Sequence, residues 1–198
     1  MSLFGDGWVL GAVSAFALFA VWVPFFRGMR ICLQARIATR RIGQSQLRKS
    51  LADGAGEDVQ SIALLMARIL RKSMRERDSE TPSEFVLDAS RQYVVNEYDA
   101  NFTRMISMYA GLLPPIGFIG TTGGMLILFL SMHMSDSSLE LGALALALTS
   151  SIFALMGFAA LEALKIKLYG RLLGCLGDVQ SLFRAAEEQR DSRATATA

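Results

Sequence analysis

The chain has 198 residues, of which 52% are hydrophobic, a formal net charge of +2, and two cysteines. Ten acidic residues are interleaved with the 14 basic ones of residues 27–104. That balance excludes a nucleic-acid surface and describes solvated helix faces. Cys32 and Cys175 lack metal-ligand spacing and are expected to be free thiols facing a reducing cytoplasm.

The apolar residues lie in blocks, which points to a membrane. Residues 7–26, 105–135 and 141–161 contain no Lys, Arg, Asp or Glu. Each window has about 20 residues or more, enough for a helix rising ~1.5 Å per residue to cross a hydrocarbon core of roughly 30 Å. The first window has no basic residue before it and no small-x-small cleavage site followed by a polar mature start, so it reads as a retained helix rather than a signal peptide. Trp8 suits an interfacial belt and Trp22 a lipid-facing or packing position.

Of the 20 Lys and Arg, 14 fall within residues 27–104 and six within residues 165–193. The positive-inside rule then puts the N-terminus outside and the C-terminus inside. The expected organisation is a periplasmic N-terminus and first transmembrane helix over residues 1–26, then a cytoplasmic helical region over 27–104. A second transmembrane helix over 105–135, a periplasmic loop over 136–140 and a third transmembrane helix over 141–164 follow. A cytoplasmic helix over 165–190 and a disordered tail over 191–198 complete it.

Within residues 27–104, RGMRICLQARIATRRIGQSQLRKSL keeps a helical apolar period with no proline, so the first helix is expected to run on until LADGAGED breaks it. Residues 57–77 form an amphipathic pattern whose stripe is Ile62, Leu65, Met66, Ile69 and Leu70. TPSE at residues 81–84 has the features of a helix start, with Thr81 as cap, Pro82 in the first turn and Glu84 completing a capping box. From there the helical pattern enters the second apolar window unbroken. No strand-like alternation occurs. The expected fold is all-α: an integral membrane protein with three transmembrane helices extended into a cytoplasmic helical bundle.

Inside the second window, LLPPIGFIGTTGG holds two prolines, four glycines and two adjacent threonines. Small residues let lipid-embedded helices approach closely. Pro114 and Pro115 free backbone carbonyls, which are tolerated at membrane depth only where backbone is buried or lines a cavity, and they are expected to bend the helix. With Thr121 and Thr122 on the same helix, one face would see water or another polar group.

The pattern P-x-x-G-x-x-G-T-x-x-G-M, here Pro114, Gly117, Gly120, Thr121, Gly124 and Met125, resembles the second-helix signature of the MotA/TolQ/ExbB proton-channel family. Ala145, Leu146 and Thr149 are similar to the A-L-x-x-T of that family's last helix. Three membrane helices with one large loop between the first and second resemble the TolQ/ExbB branch over nearly the whole chain. The chain departs from the pattern at Ile152 and Met156-Gly157-Phe158, where the family usually has a glycine and then an A-I-P-like segment, and at Leu144, where some relatives carry a glutamate.

Counting from the outer loop, Thr121 and Thr149 come within a turn or so of equal depth at ~1.5 Å per residue. Each hydroxyl can also bond back to its own helix at the carbonyl four residues earlier, and the residues alone leave both states open. The resemblance implies an ion pathway of Thr121 and Thr149, with Thr122 and Ser150 beside them, in a homo-oligomeric ring, pentameric if it follows the family. No charged residue lies in the three windows, so a proton carrier must come from elsewhere. The resemblance implies an ExbD/TolR-like single-span partner, present as a dimer, that supplies an aspartate. The output would be mechanical work drawn from the proton motive force at the bacterial inner membrane. Glu162 is expected at the cytoplasmic boundary, paired with Lys165 or Lys167, with a role as proton exit as the sharper reading. Glu140 and His133 lie near the outer loop. The absence of a nucleophile-base pair, a metal-ligand cluster or a phosphate loop argues against an enzyme, and no cofactor is expected. A different class, a membrane scaffold recruiting soluble proteins through its cytoplasmic bundle, would make the threonines silent and the Ile62 to Leu70 stripe essential.

Overall fold

The computed structural model describes residues 3–40, 42–43, 45, 61–76, 81–132 and 137–196. The described residues are helical apart from short connections and contain no strand, as an all-α fold requires. The helices are α1 (Leu3–Ala38), α2 (Ile62–Arg75), α3 (Ser83–Tyr98), α4 (Arg104–Met132) and α5 (Ser137–Ala196), with a π-helical turn, Asp99–Thr103, joining α3 to α4. Two stretches, Ser83–Met132 and Glu140–Gln189, are long and apolar enough to cross a membrane by length and composition.

Several helix ends differ from the sequence reading. α1 stops at Ala38, before the break at residues 51–58. There the Thr39 N–H and hydroxyl both donate to Ala35 O, at 2.9 and 2.8 Å, and the Arg40 N–H reaches back only three residues, to Ile37 O at 3.1 Å. This tightening of the last turn gives Ala35 O and Ile37 O their partners where the helix ends. The LADGAGED break and the first residues of the amphipathic segment lie outside the described residues. α2 starts at Ile62 because Ser61 is extended, at φ −119° and ψ 135°. α3 starts at Ser83, with Pro82 as its extended N-cap, so Thr81 does not cap it. Glu84 closes no capping box; its carboxylate instead takes Arg184 in a two-pronged pair with both contacts at 3.1 Å. α5 begins at Ser137, inside the expected loop, and runs through Ala196 where a disordered tail was expected. No Pro or Gly follows Gly177 to interrupt it, and the Ser192 hydroxyl bonds Glu188 O at 2.8 Å.

The chain divides into two compact units: residues 1–32 with 104–165, and residues 33–103 with 166–198. In the first, buried residues recur at helical spacing on α4 (Ile106, Ala110, Leu113, Gly117, Gly124, Ser131) and on α5 (Ala143, Ala147, Ser150, Ala154, Leu161). The glycines set how closely these helices approach. A Cβ on Gly117 would lie 2.6 Å from Ala154 Cβ, and one on Gly124 would lie 2.7 Å from Ala147 Cβ and 2.8 Å from Ala143 O. On α1, a Cβ at Gly28 would lie 2.8 Å from Leu161 Cδ1. Gly111 and Gly123 meet nothing within 4 Å and take no part in this approach. Pro114 and Pro115 lie within α4, and the helix continues through them. Trp22 stacks on Phe26 at 5.0 Å between ring centroids.

In the second unit α2 buries Ile62, Ala63, Met66, Ala67 and Leu70 against a core that includes Val86, Leu87 and Val94 of α3. Leu65 and Ile69 of the expected stripe are only half-buried, because the small side chains of Ala63 and Ala67 turn toward the core instead. On α5, Leu168, Leu172, Cys175 and Val179 are buried at alternating four- and three-residue steps, the spacing of a coiled-coil seam. Neither cysteine is in a disulfide, in line with the sequence reading, and both are buried. The Cys175 thiol donates to Thr39 O at 3.4 Å. Burial pushes the Cys32 thiol above its ordinary value of 9.0.

Gly124→Ala is expected to destabilise by about 1–3 kcal/mol through overpacking against backbone. Gly111→Ala, in open space within a helix, is expected to be neutral or to stabilise by up to about 1 kcal/mol. Reversible unfolding in detergent distinguishes the two. For the thiols, both should resist maleimide at pH 8 until the protein is unfolded, when two become reactive. Since the folded Cys32 keeps its proton above pH 9, its contribution to stability is complete below that pH and declines above it.

Candidate functional site

The charge-free stretch of α4 and α5 contains a cluster of hydroxyls between the two helices. Thr121 Oγ1 donates to Gly117 O at 3.0 Å in its own helix, lies 3.4 Å from Ala147 O of α5, and is in hydrogen-bond contact with Ser151 Oγ. Ser151 Oγ in turn reaches across to Gly117 O at 3.3 Å. Both hydroxyls are half-buried. Ser150, only 1% exposed, donates to Ala147 O at 3.1 Å and fills the space that a side chain on Gly120 would need, its Cβ lying 2.6 Å from where a Cβ there would stand.

These contacts fix the register of α4 against α5. Thr121 lies opposite residues 147–151, so Thr149 is indeed at its level. The two threonines nevertheless do not meet within the unit. Thr149 is exposed and bonds back to its own helix at Ala145 O. Thr122 is exposed too and donates to Phe118 O and Ile119 O at 3.1 and 3.0 Å. The partner of Thr121 is Ser151, which the sequence reading does not single out. A turn of 100° per residue explains why: Thr149 is 200° from Ala147, on the opposite side of α5, whereas Ser151 is only about 40° from it. The run of small residues Ala147, Ser150, Ser151 and Ala154 was the available signal.

Large apolar side chains surround the cluster and point away from the unit. Phe118 and Ile119 are each 68% exposed, and Leu148 and Ile152 more than half exposed. Surface of that kind requires an apolar environment. Near the middle of α5, Lys165 Nζ takes both oxygens of Glu162, at 2.7 and 2.5 Å, and donates to Ser107 Oγ of α4 at 3.1 Å. Glu162 thus pairs with Lys165 rather than Lys167, because an i,i+3 pair shares a helix face and an i,i+5 pair does not. Glu140 lies in the first turn of α5, and His133 lies outside the described residues. No family model matches the chain, and no curated protein matches it.

Thr121→Val should lower stability by about 0.6–1 kcal/mol, since it removes a hydroxyl shared between helices. Thr149→Val removes only a bond within one helix and should change stability by less than about 0.5 kcal/mol. Unfolding curves of the two variants in the same detergent check the difference.

Proposed function

We propose that the chain is the ring-forming subunit of a proton channel that uses the proton motive force to drive mechanical work through a single-span membrane partner. The observation that carries this reading is the Thr121–Ser151 hydroxyl cluster, held between residues 105–132 of α4 and 141–161 of α5, two apolar stretches that contain no Lys, Arg, Asp or Glu. Hydroxyls placed there conduct or orient protons without carrying net charge, so the carrier is a carboxylate brought by the partner. The resemblance of Pro114, Gly117, Gly120, Thr121, Gly124 and Met125 to the second-helix signature of the MotA/TolQ/ExbB family supports the same assignment. So does the similarity of Ala145, Leu146 and Thr149 to its last-helix pattern.

On this reading three helices span the bacterial inner membrane, with the N-terminus periplasmic and the C-terminus cytoplasmic, and the basic residues of 27–104 and 165–193 remain inside. Copies assemble as a pentamer around an ExbD/TolR-like dimer that supplies an aspartate. The exposed hydroxyls of Thr122 and Thr149 face the path or the adjoining copy, and the half-buried Thr121 lies at its wall. Lys165 and Glu162 mark the cytoplasmic end, where Glu162 is the candidate exit group. A proton crossing 100 mV releases about 2.3 kcal/mol, enough to bias a rearrangement between ring and partner. The scaffold alternative draws no support from the stripe of α2, which is largely occupied by packing within its own unit.

The test is proton uptake into pyranine-loaded liposomes holding tagged complexes isolated from the native membrane, under an imposed potassium-valinomycin potential. Wild-type complexes should take up protons, and Thr121→Val should reduce the rate by about tenfold or more, the effect of a barrier raised by about 1.4 kcal/mol. Native mass spectrometry of the same preparation should show a ring with fewer partner copies than subunits. Uptake equal to that of empty liposomes would remove the channel reading.

A further inference from the structure

We propose that Ser151 is the second hydroxyl of the proton step and decides which oxygen of the Thr121–Ser151 pair is open to accept a proton. This inference rests on the channel reading above. The two residues carry two hydroxyl protons between them. Four oxygens stand within reach of those protons: the two hydroxyl oxygens, Gly117 O and Ala147 O.

Two arrangements keep the bond between the hydroxyls. In the first, Thr121 donates to Ser151 and Ser151 donates to Gly117 O, which leaves Thr121 Oγ1 with both lone pairs free. In the second, Ser151 donates to Thr121 and Thr121 donates to Gly117 O or Ala147 O, which leaves Ser151 Oγ open. The arrangements differ only in the sense of the hydrogen bonds, so they are close in energy and exchange by rotation about two C–O bonds.

A proton step that balances follows directly. With the Ser151 O–H turned from Gly117 O onto a carboxylate or a water, an incoming proton bonds to Thr121 Oγ1, the proton already on Thr121 moves along the hydrogen bond to Ser151 Oγ, and the proton already on Ser151 passes to that carboxylate or water. Each oxygen ends with one proton, Ser151 now donates to Thr121, and rotation of the Thr121 hydroxyl onto Gly117 O or Ala147 O completes the second arrangement. Rotation of both hydroxyls resets it.

Other hydroxyls of the segment lack this property. Ser150 is 1% exposed and donates to Ala147 O, while Thr149 bonds Ala145 O on its own helix. Among the described residues, Thr121 and Ser151 alone join hydroxyl to hydroxyl across α4 and α5, and both remain half-exposed. Alanine in place of Ser151 keeps the small side chain that the helix contact needs and removes the second oxygen.

The liposome assay is repeated with Ser151→Ala, Ser151→Thr and Thr121→Val, each rate divided by the amount of folded complex found from thermal unfolding. Ser151→Ala should lower proton uptake at least about tenfold, and Ser151→Thr, which restores a hydroxyl at the same atom position, should keep about half or more of the wild-type rate. If Ser151→Ala conducts normally while Thr121→Val does not, the Ser151 relay is wrong and the channel reading stands. A loss that vanishes after correction for folded complex, or that Ser151→Thr does not rescue, also overturns the relay. Wild-type uptake no greater than that of empty liposomes overturns both.

Discussion

The approach of α4 to α5 along Gly117, Gly120 and Gly124 is closer than any side chain larger than hydrogen would permit. In a lipid-like surrounding, apolar side chains gain nothing by leaving the solvent, so helices associate through dispersion contacts and interhelical hydrogen bonds. Removing three Cβ atoms from one helix lets Ala147, Ser150 and Ala154 of the other settle against backbone. Only at that separation can Thr121 reach a carbonyl of α5 and Ser151 reach a carbonyl of α4. The polar cluster is therefore a consequence of the glycine contact.

Polar groups along this segment are satisfied locally. Thr122, Ser131 and Thr149 each donate to a carbonyl three or four residues back, which lets a hydroxyl stay in an apolar region at little cost. Thr121 has that option too, at Gly117 O, and still makes contacts across to α5. On α5 no charged side chain stands between Glu140 and Glu162, and at the latter the carboxylate, Lys165 and Ser107 satisfy one another. A two-charge cluster at the end of an apolar stretch, and none within it, is what the cost of burying charge demands.

The second unit follows different rules. Its buried α5 positions keep the alternating four- and three-residue steps of knobs-into-holes packing, and α2 adds an apolar face rich in alanine and methionine. Between α3 and α4 the chain keeps a helical path by inserting a π turn. Asn101 directs its amide onto the Glu97 carbonyl and carboxylate, at 2.9 and 2.7 Å, while Tyr98 and Phe102 remain 5.2 Å apart. An asparagine that competes for the backbone in this way accounts for the widened turn.

Much of this was legible from one-dimensional pattern. Blocks free of charge, the grouping of Lys and Arg, and the 3.6-residue period fix an all-helical chain with long apolar helices, because these properties depend only on neighbours along the chain. Glycines at three- and four-residue spacing likewise announce a close helix contact. Helix ends were less legible, since at Ala38, Ile62 and Ser83 they turn on a single extended residue or one side-chain bond rather than on a repeating pattern. Equal depth of Thr121 and Thr149 followed from counting residues, but depth says nothing about rotation around the helix axis. Ser151, not Thr149, meets Thr121 because packing of Gly117, Gly120 and Gly124 against α5 sets that rotation. The sequence by itself thus determined the helices, their apolar lengths and their small-residue ridge, all local properties. The tertiary structure alone decided which hydroxyls share a hydrogen bond, because that depends on the rotation and register of two helices packed against each other.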